Sequence, residues 1–65
     1  MPPRFAVEIE QYLQLSGPTT ETGLANHFVK WGATAEDVAA ALEWLVREGR
    51  VTRELDPDER YRARA

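Results

Sequence analysis

The sequence predicts an α+β fold, mainly α: a three-helix bundle followed by a C-terminal β-hairpin. Three observations carry this. Apolar residues recur at helical spacing in three successive stretches, and breaks rich in glycine, proline and threonine separate those stretches. Beyond Gly49 the apolar period then falls from helical spacing to strict alternation. The 65 residues read as a single domain, 1–65, with helices over about 3–16, 20–31 and 34–48 and strands over about 50–55 and 61–65. A chain this short buries only about 60% of the surface its unfolded form exposes, so its stability is marginal.

The first helix follows Pro2 and Pro3, residues suited to a helix's first turn. Phe5, Ile9, Tyr12 and Leu13 form one apolar face, and Ser16-Gly17-Pro18 stops the helix. Thr19 and Thr20 offer an N-cap for the second, whose apolar set is Leu24, Phe28 and Trp31 with Ala25 alongside. Gly23 within it costs roughly 1 kcal/mol against alanine.

Gly32-Ala33-Thr34 is the second break, and Thr34 with Glu36 and Asp37 makes a good helix start: a hydroxyl cap, then acids near the positive end of the dipole. Val38, Ala41, Leu42 and Leu45 hold one face of the third helix, Arg47 complements its negative end, and Gly49 stops it.

In the hairpin, Val51, Arg53 and Leu55 alternate with Thr52 and Glu54, and Tyr61, Ala63 and Ala65 alternate with Arg60, Arg62 and Arg64. Asp56-Pro57-Asp58 is turn chemistry. If Leu55 faces the core together with Tyr61, the loop runs from Asp56 to Arg60. Glu54 then lies opposite Arg62 and Thr52 opposite Arg64, since a slip of one residue would exchange the faces.

Composition narrows the function. No cysteine means no disulfide, no thiolate metal site and no cysteine nucleophile; a single histidine builds no zinc centre by itself. No apolar run approaches the roughly 20 residues of a membrane helix, and Glu8 and Glu10 stand where a secretory leader would be apolar. Ser16 has no neighbouring base and no glycine-rich phosphate cradle occurs, so no catalytic residue, metal or cofactor is expected. The expectation is a cytoplasmic binding domain and not an enzyme.

The net charge of −3 is unevenly spread. Residues 1–46 carry two basic groups against six acidic ones, whereas residues 47–65 carry six arginines and five acids. Seven arginines stand against one lysine. Arginine's planar fork suits phosphate recognition, and a GC-rich genome gives the same bias without a functional reason.

The order helix, helix, helix, hairpin resembles a winged helix-turn-helix domain. Ile9-x-x-Tyr12-Leu13 with Gly17-Pro18-x-Thr20 resembles that superfamily's first helix and the link to the second, and Leu24-Ala25-x-x-Phe28 resembles helix two. Thr34-x-Glu36-Asp37-Val38-x-x-Ala41-Leu42-x-x-Leu45, leading to Glu48-Gly49-x-Val51, resembles helix three running into the wing. The chain departs from the pattern at Val29, Lys30 and Trp31, which lengthen helix two or widen the turn.

In DNA-binding members helix three enters the major groove. Carried over, its groove-facing residues would be Thr34, Ala35, Glu36, Ala39, Ala40, Glu43 and Arg47. That set lacks the arginine, lysine, asparagine or glutamine near its start that reads base edges, and it brings carboxylates towards phosphates.

Two functions follow. The first is a small DNA-binding regulator, contacting DNA through the wing arginines Arg53, Arg60, Arg62 and Arg64, with Lys30, Thr34 and Arg47 nearby, and working as a homodimer because one such module buries little DNA. The alternative is a protein–protein interaction module that uses Glu36, Ala40, Glu43 and Trp44. Against these stand blander readings: wing arginines neutralised by Glu54, Asp58 and Glu59, Trp44 folded back as a satellite of the core, and His27 as a neutral surface residue.

Overall fold

A computed structural model describes residues 1–55 and 57–64. Three helices, α1 (Ala6–Ser16), α2 (Glu21–Phe28) and α3 (Ala35–Arg47), precede an antiparallel hairpin of β1 (Val51–Glu54) and β2 (Arg60–Ala63). The domain is α+β and mainly α. Ile9 and Leu13 of α1, Leu24 and Phe28 of α2, and Val38, Ala41, Leu42 and Leu45 of α3 meet in one core, which Val51 and Tyr61 of the hairpin close. The three helical stripes read from the sequence are therefore the buried faces, except that Trp31 is 56% exposed and Phe5 and Tyr12 are half-buried.

The helix ends explain where each element starts and stops. Thr20 caps α2 by accepting the Gly23 N–H on its Oγ1 at 3.0 Å. Thr34 caps α3 reciprocally: Asp37 N–H donates to Thr34 Oγ1, and Thr34 N–H donates to Asp37 Oδ2, both at 3.0 Å. Two of the orphan donors at the helix start are thereby satisfied. At the far end Gly49 N–H donates to Val46 O and Arg50 N–H to Leu45 O, closing a Schellman motif. This needs the left-handed φ of +75° that Gly49 adopts.

Three expectations are corrected. Helix α1 begins at Ala6 and not near residue 3, because Phe5 takes a left-handed conformation (φ 67°, ψ 4°). The prolines thus precede the helix, in a turn closed by Ala6 N–H donating to Pro3 O. Helix α2 does not reach Trp31; after Phe28 the chain tightens into one 3₁₀ turn, Val29–Trp31, which absorbs the three extra residues.

Strand β1 is shorter at both ends than expected, β2 starts one residue earlier and ends at Ala63, and Ala65 lies outside the described residues. The hairpin register is also displaced by two residues. Arg53 and not Leu55 is opposite Tyr61, Glu54 is opposite Arg60, and Thr52 is opposite Arg62. The predicted face survives because the displacement is even. The loop becomes Leu55 to Glu59, of which Asp56 lies outside the described residues, and Leu55 is 62% exposed in place of facing the core. Two anchors outside the loop coincide with this register: the Schellman closure that brings Val51 to the core, and a bridge between Thr19 and Tyr61.

Trp44 is half-buried and packs against the core, in line with its reading as a satellite of that core.

Candidate functional site

The hairpin register sorts the basic residues onto two faces. Val51, Arg53, Tyr61 and Ala63 share the inner face; Thr52, Glu54, Arg60 and Arg62 share the outer one. Arg64 N–H donates to Arg50 O at 3.0 Å, which continues the same register and adds both arginines to the outer face. The alternation of the sequence thus becomes an arginine-rich outer surface.

That surface is locally neutralised. Arg62 Nε reaches Glu54 Oε2 at 3.0 Å, Arg60 reaches Asp58 at 3.6 Å, and Arg53, on the inner face, reaches Glu59 at 3.4 Å. All three acceptors belong to the hairpin or its loop. Arg64 donates to the Gly49 carbonyl at 3.3 Å. Arg50, which the sequence reading left out of the site, crosses to Glu10 of α1 at 3.3 Å; its place in the alternation with Thr52 and Glu54 was the available signal. The three pairs within the hairpin are solvent-exposed, each worth about 0–1 kcal/mol, whereas the Glu10 side chain is only 16% exposed.

The other proposed nucleic-acid contacts do not join this surface. Lys30 sits in the 3₁₀ turn with its ammonium 4.8 Å from the centre of the Trp31 ring. The Thr34 hydroxyl is committed to the α3 cap, and Arg47 pairs with Glu43 one turn back at 3.0 Å.

On α3 the exposed side holds Ala35, Glu36, Ala39, Ala40 and Glu43. Next to it, α3 and the inner face of the hairpin enclose a cleft of about 310 Å³. Ala39, Leu42, Val46 and Tyr61 give it an apolar lining; Glu21, Glu43 and Arg53 supply the charge. Sequence reasoning missed Glu21, Val46 and Tyr61 as members of this site. The bridge between Thr19 and Tyr61 brings the start of α2 beside the hairpin, and no pattern in the sequence marks it. Burial pushes the Tyr61 phenol above its ordinary value, while a hydrogen bond with Arg53 acts in the opposite direction.

His27 is not an isolated surface residue. It is half-buried and stacks on Tyr12, with ring centres 4.1 Å apart, and lies 5.3 Å from Trp31. Among the described residues no helix is long and apolar enough to cross a membrane. The element order and the hairpin position are compatible with a winged-helix layout. Comparison with protein-family models, curated proteins and solved structures finds no match to this chain.

Proposed function

We propose that the chain is a winged-helix protein-interaction module that binds a basic, amphipathic segment of a partner protein between α3 and the hairpin. The observation that carries this is the cleft itself. Its apolar lining from Ala39, Leu42, Val46 and Tyr61 is flanked by the carboxylates of Glu21 and Glu43, the latter paired with Arg47, and by one cation, Arg53. An amphipathic helix or strand places apolar anchors in such a groove and its cations against the rim. The exposed alanines of α3 allow close backbone approach, and Glu36 extends the acidic border. Binding, not catalysis, is the role proposed.

A second reading has its own support: the outer hairpin face places Arg50, Arg60, Arg62 and Arg64 in one register with a single carboxylate, Glu54. Phosphates of duplex DNA would replace weak surface pairs there. In this reading the domain is a DNA-binding regulator that uses its wing.

One NMR experiment separates the two. The labelled domain is titrated at low salt with a lysine- and leucine-rich amphipathic peptide and, separately, with generic duplex DNA. Peptide-induced shifts at Ala39, Val46 and Tyr61 that Glu43→Gln weakens support the cleft. No peptide response, together with DNA shifts along Arg60–Arg64 that vanish in the Arg62→Ala, Arg64→Ala double variant, reverses the order of the two readings.

A further inference from the structure

A second concave site shares no residue with the cleft. Phe5 and Glu8, one turn apart, form one wall, and Phe28 and Trp31, also one turn apart, form the other; the space between them is about 330 Å³. The walls converge: the Phe28 ring is tilted 54° to Phe5 at 6.2 Å between centres, and 48° to Trp31 at 5.7 Å. Trp31 is 56% exposed although it belongs to this aromatic group, an unusual placement for tryptophan in so small a domain.

The ring faces here already attract cations. The Arg4 guanidinium lies 5.1 Å from the centre of the Phe5 ring, and the Lys30 ammonium 4.8 Å from that of Trp31. Neither cation lines the pocket, which leaves the space between the rings to another group. Three aromatic walls and one carboxylate suit a cation with an apolar shell. Ring quadrupoles and the Glu8 charge attract it, and its methyl groups fill a space that a hydrated ammonium would enter at greater cost.

We infer that the pocket formed by Phe5, Glu8, Phe28 and Trp31 binds a methylated ammonium group. The group is carried either by a free solute of the choline type or by a trimethylated lysine side chain. Both present the same chemistry to the rings. Phe28 is buried and belongs to the core, so it fixes the floor, while Trp31 and Glu8 are the accessible selectors.

The test follows the Trp31 indole N–H by NMR in the intact chain during titration with choline, with a trimethyllysine peptide, and with dimethylbutanol, the neutral carbon isostere of choline. The expected result is a saturable shift with at least one cation, about tenfold tighter than with the neutral isostere. Tighter binding of the peptide assigns the group to a side chain; tighter binding of choline assigns it to a solute. Read at the backbone amides of Glu8 and Phe28, Trp31→Leu, which keeps bulk at an exposed position, abolishes binding, and Glu8→Gln weakens it by about two- to fivefold. Equal response to choline and dimethylbutanol, or no saturable response to either cation, overturns the inference.

Discussion

Thr19 and Tyr61 exchange both backbone hydrogen bonds: Thr19 N–H donates to Tyr61 O at 3.1 Å, and Tyr61 N–H donates to Thr19 O at 2.8 Å. This single pair joins the link between α1 and α2 to the second strand of the hairpin. A two-stranded hairpin is marginal by itself, and here one residue acts as a third strand. Proline at position 19 cannot donate. Thr19→Pro is therefore expected to cost about 1–3 kcal/mol and to expose the Tyr61 amide to hydrogen exchange. Thr19→Val, which keeps the backbone and loses only the hydroxyl's bonds with Gly17 O and Ser16 Oγ, should leave that amide protected. Equal exchange in the two variants would show that the bridge is not what holds the hairpin.

Gly23 tests a conflict between propensity and packing. Alanine in a helix is favoured over glycine by roughly 1 kcal/mol. A Cβ at position 23, however, would stand 3.0 Å from Thr19 Cγ2 and 3.1 Å from Thr20 Oγ1. Neither neighbour is free to yield, since Thr19 is held by the Tyr61 bridge and Thr20 by its cap bond. Crowding wins, and Gly23→Ala is expected to lower stability by up to about 2 kcal/mol in urea denaturation. Thr19→Ser removes Cγ2, and in that background the cost of the same change should shrink to what the Thr20 Oγ1 contact leaves. A double-mutant cycle measures the coupling directly.

What the sequence made legible follows from range. Helical stripes, caps and the change of period are local, so Val38–Leu45, Thr34 and Gly49 could be placed from spacing alone. The strand register could not, because it depends on where Thr19 meets Tyr61, 42 positions apart. The alternation allows a register with Leu55 on the core face beside Tyr61, yet it is Val51 and Tyr61 that are buried and Leu55 that is exposed. The arginine stripe was visible as alternation, but its neutralisation by Glu54, Asp58 and Glu59 depends on loop geometry. The aromatic pocket was overlooked for the same reason. Phe5 precedes α1 and Trp31 follows α2, and the Phe28 ring, in contact with both, brings them to one space.

The α3 cap gives a pH dependence with a definite sign. The Thr34 backbone N–H bonded to Asp37, with a smaller contribution from the Arg4 guanidinium at 3.9 Å, holds the Asp37 carboxyl below its ordinary value of 3.8. A depressed carboxyl contributes stability above the unfolded-state value and loses it as pH falls through the folded-state value. The stability difference between the native chain and Asp37→Ala should accordingly be constant near neutrality and shrink as pH drops below about 4. Thr34→Ala removes the other half of the box and should cost about 1 kcal/mol near neutral pH. A difference that grows with acid would contradict the assignment.

Phe5 is the one non-glycine residue with positive φ among those described. For a bulky side chain that conformation costs roughly 1–2 kcal/mol, and the ring's packing against the core, beside Phe28, is what offsets it. Two substitutions separate strain from packing. Phe5→Ala loses the ring and keeps the strained backbone, whereas Phe5→Gly loses the ring and relieves the strain. Glycine is therefore expected to be the more stable of the two by about 1 kcal/mol, the reverse of their order inside a helix. Chemical denaturation of both variants checks this. If alanine proves the more stable, Phe5 starts α1 as an ordinary helical residue, and the turn through Pro3–Ala6 does not form as described.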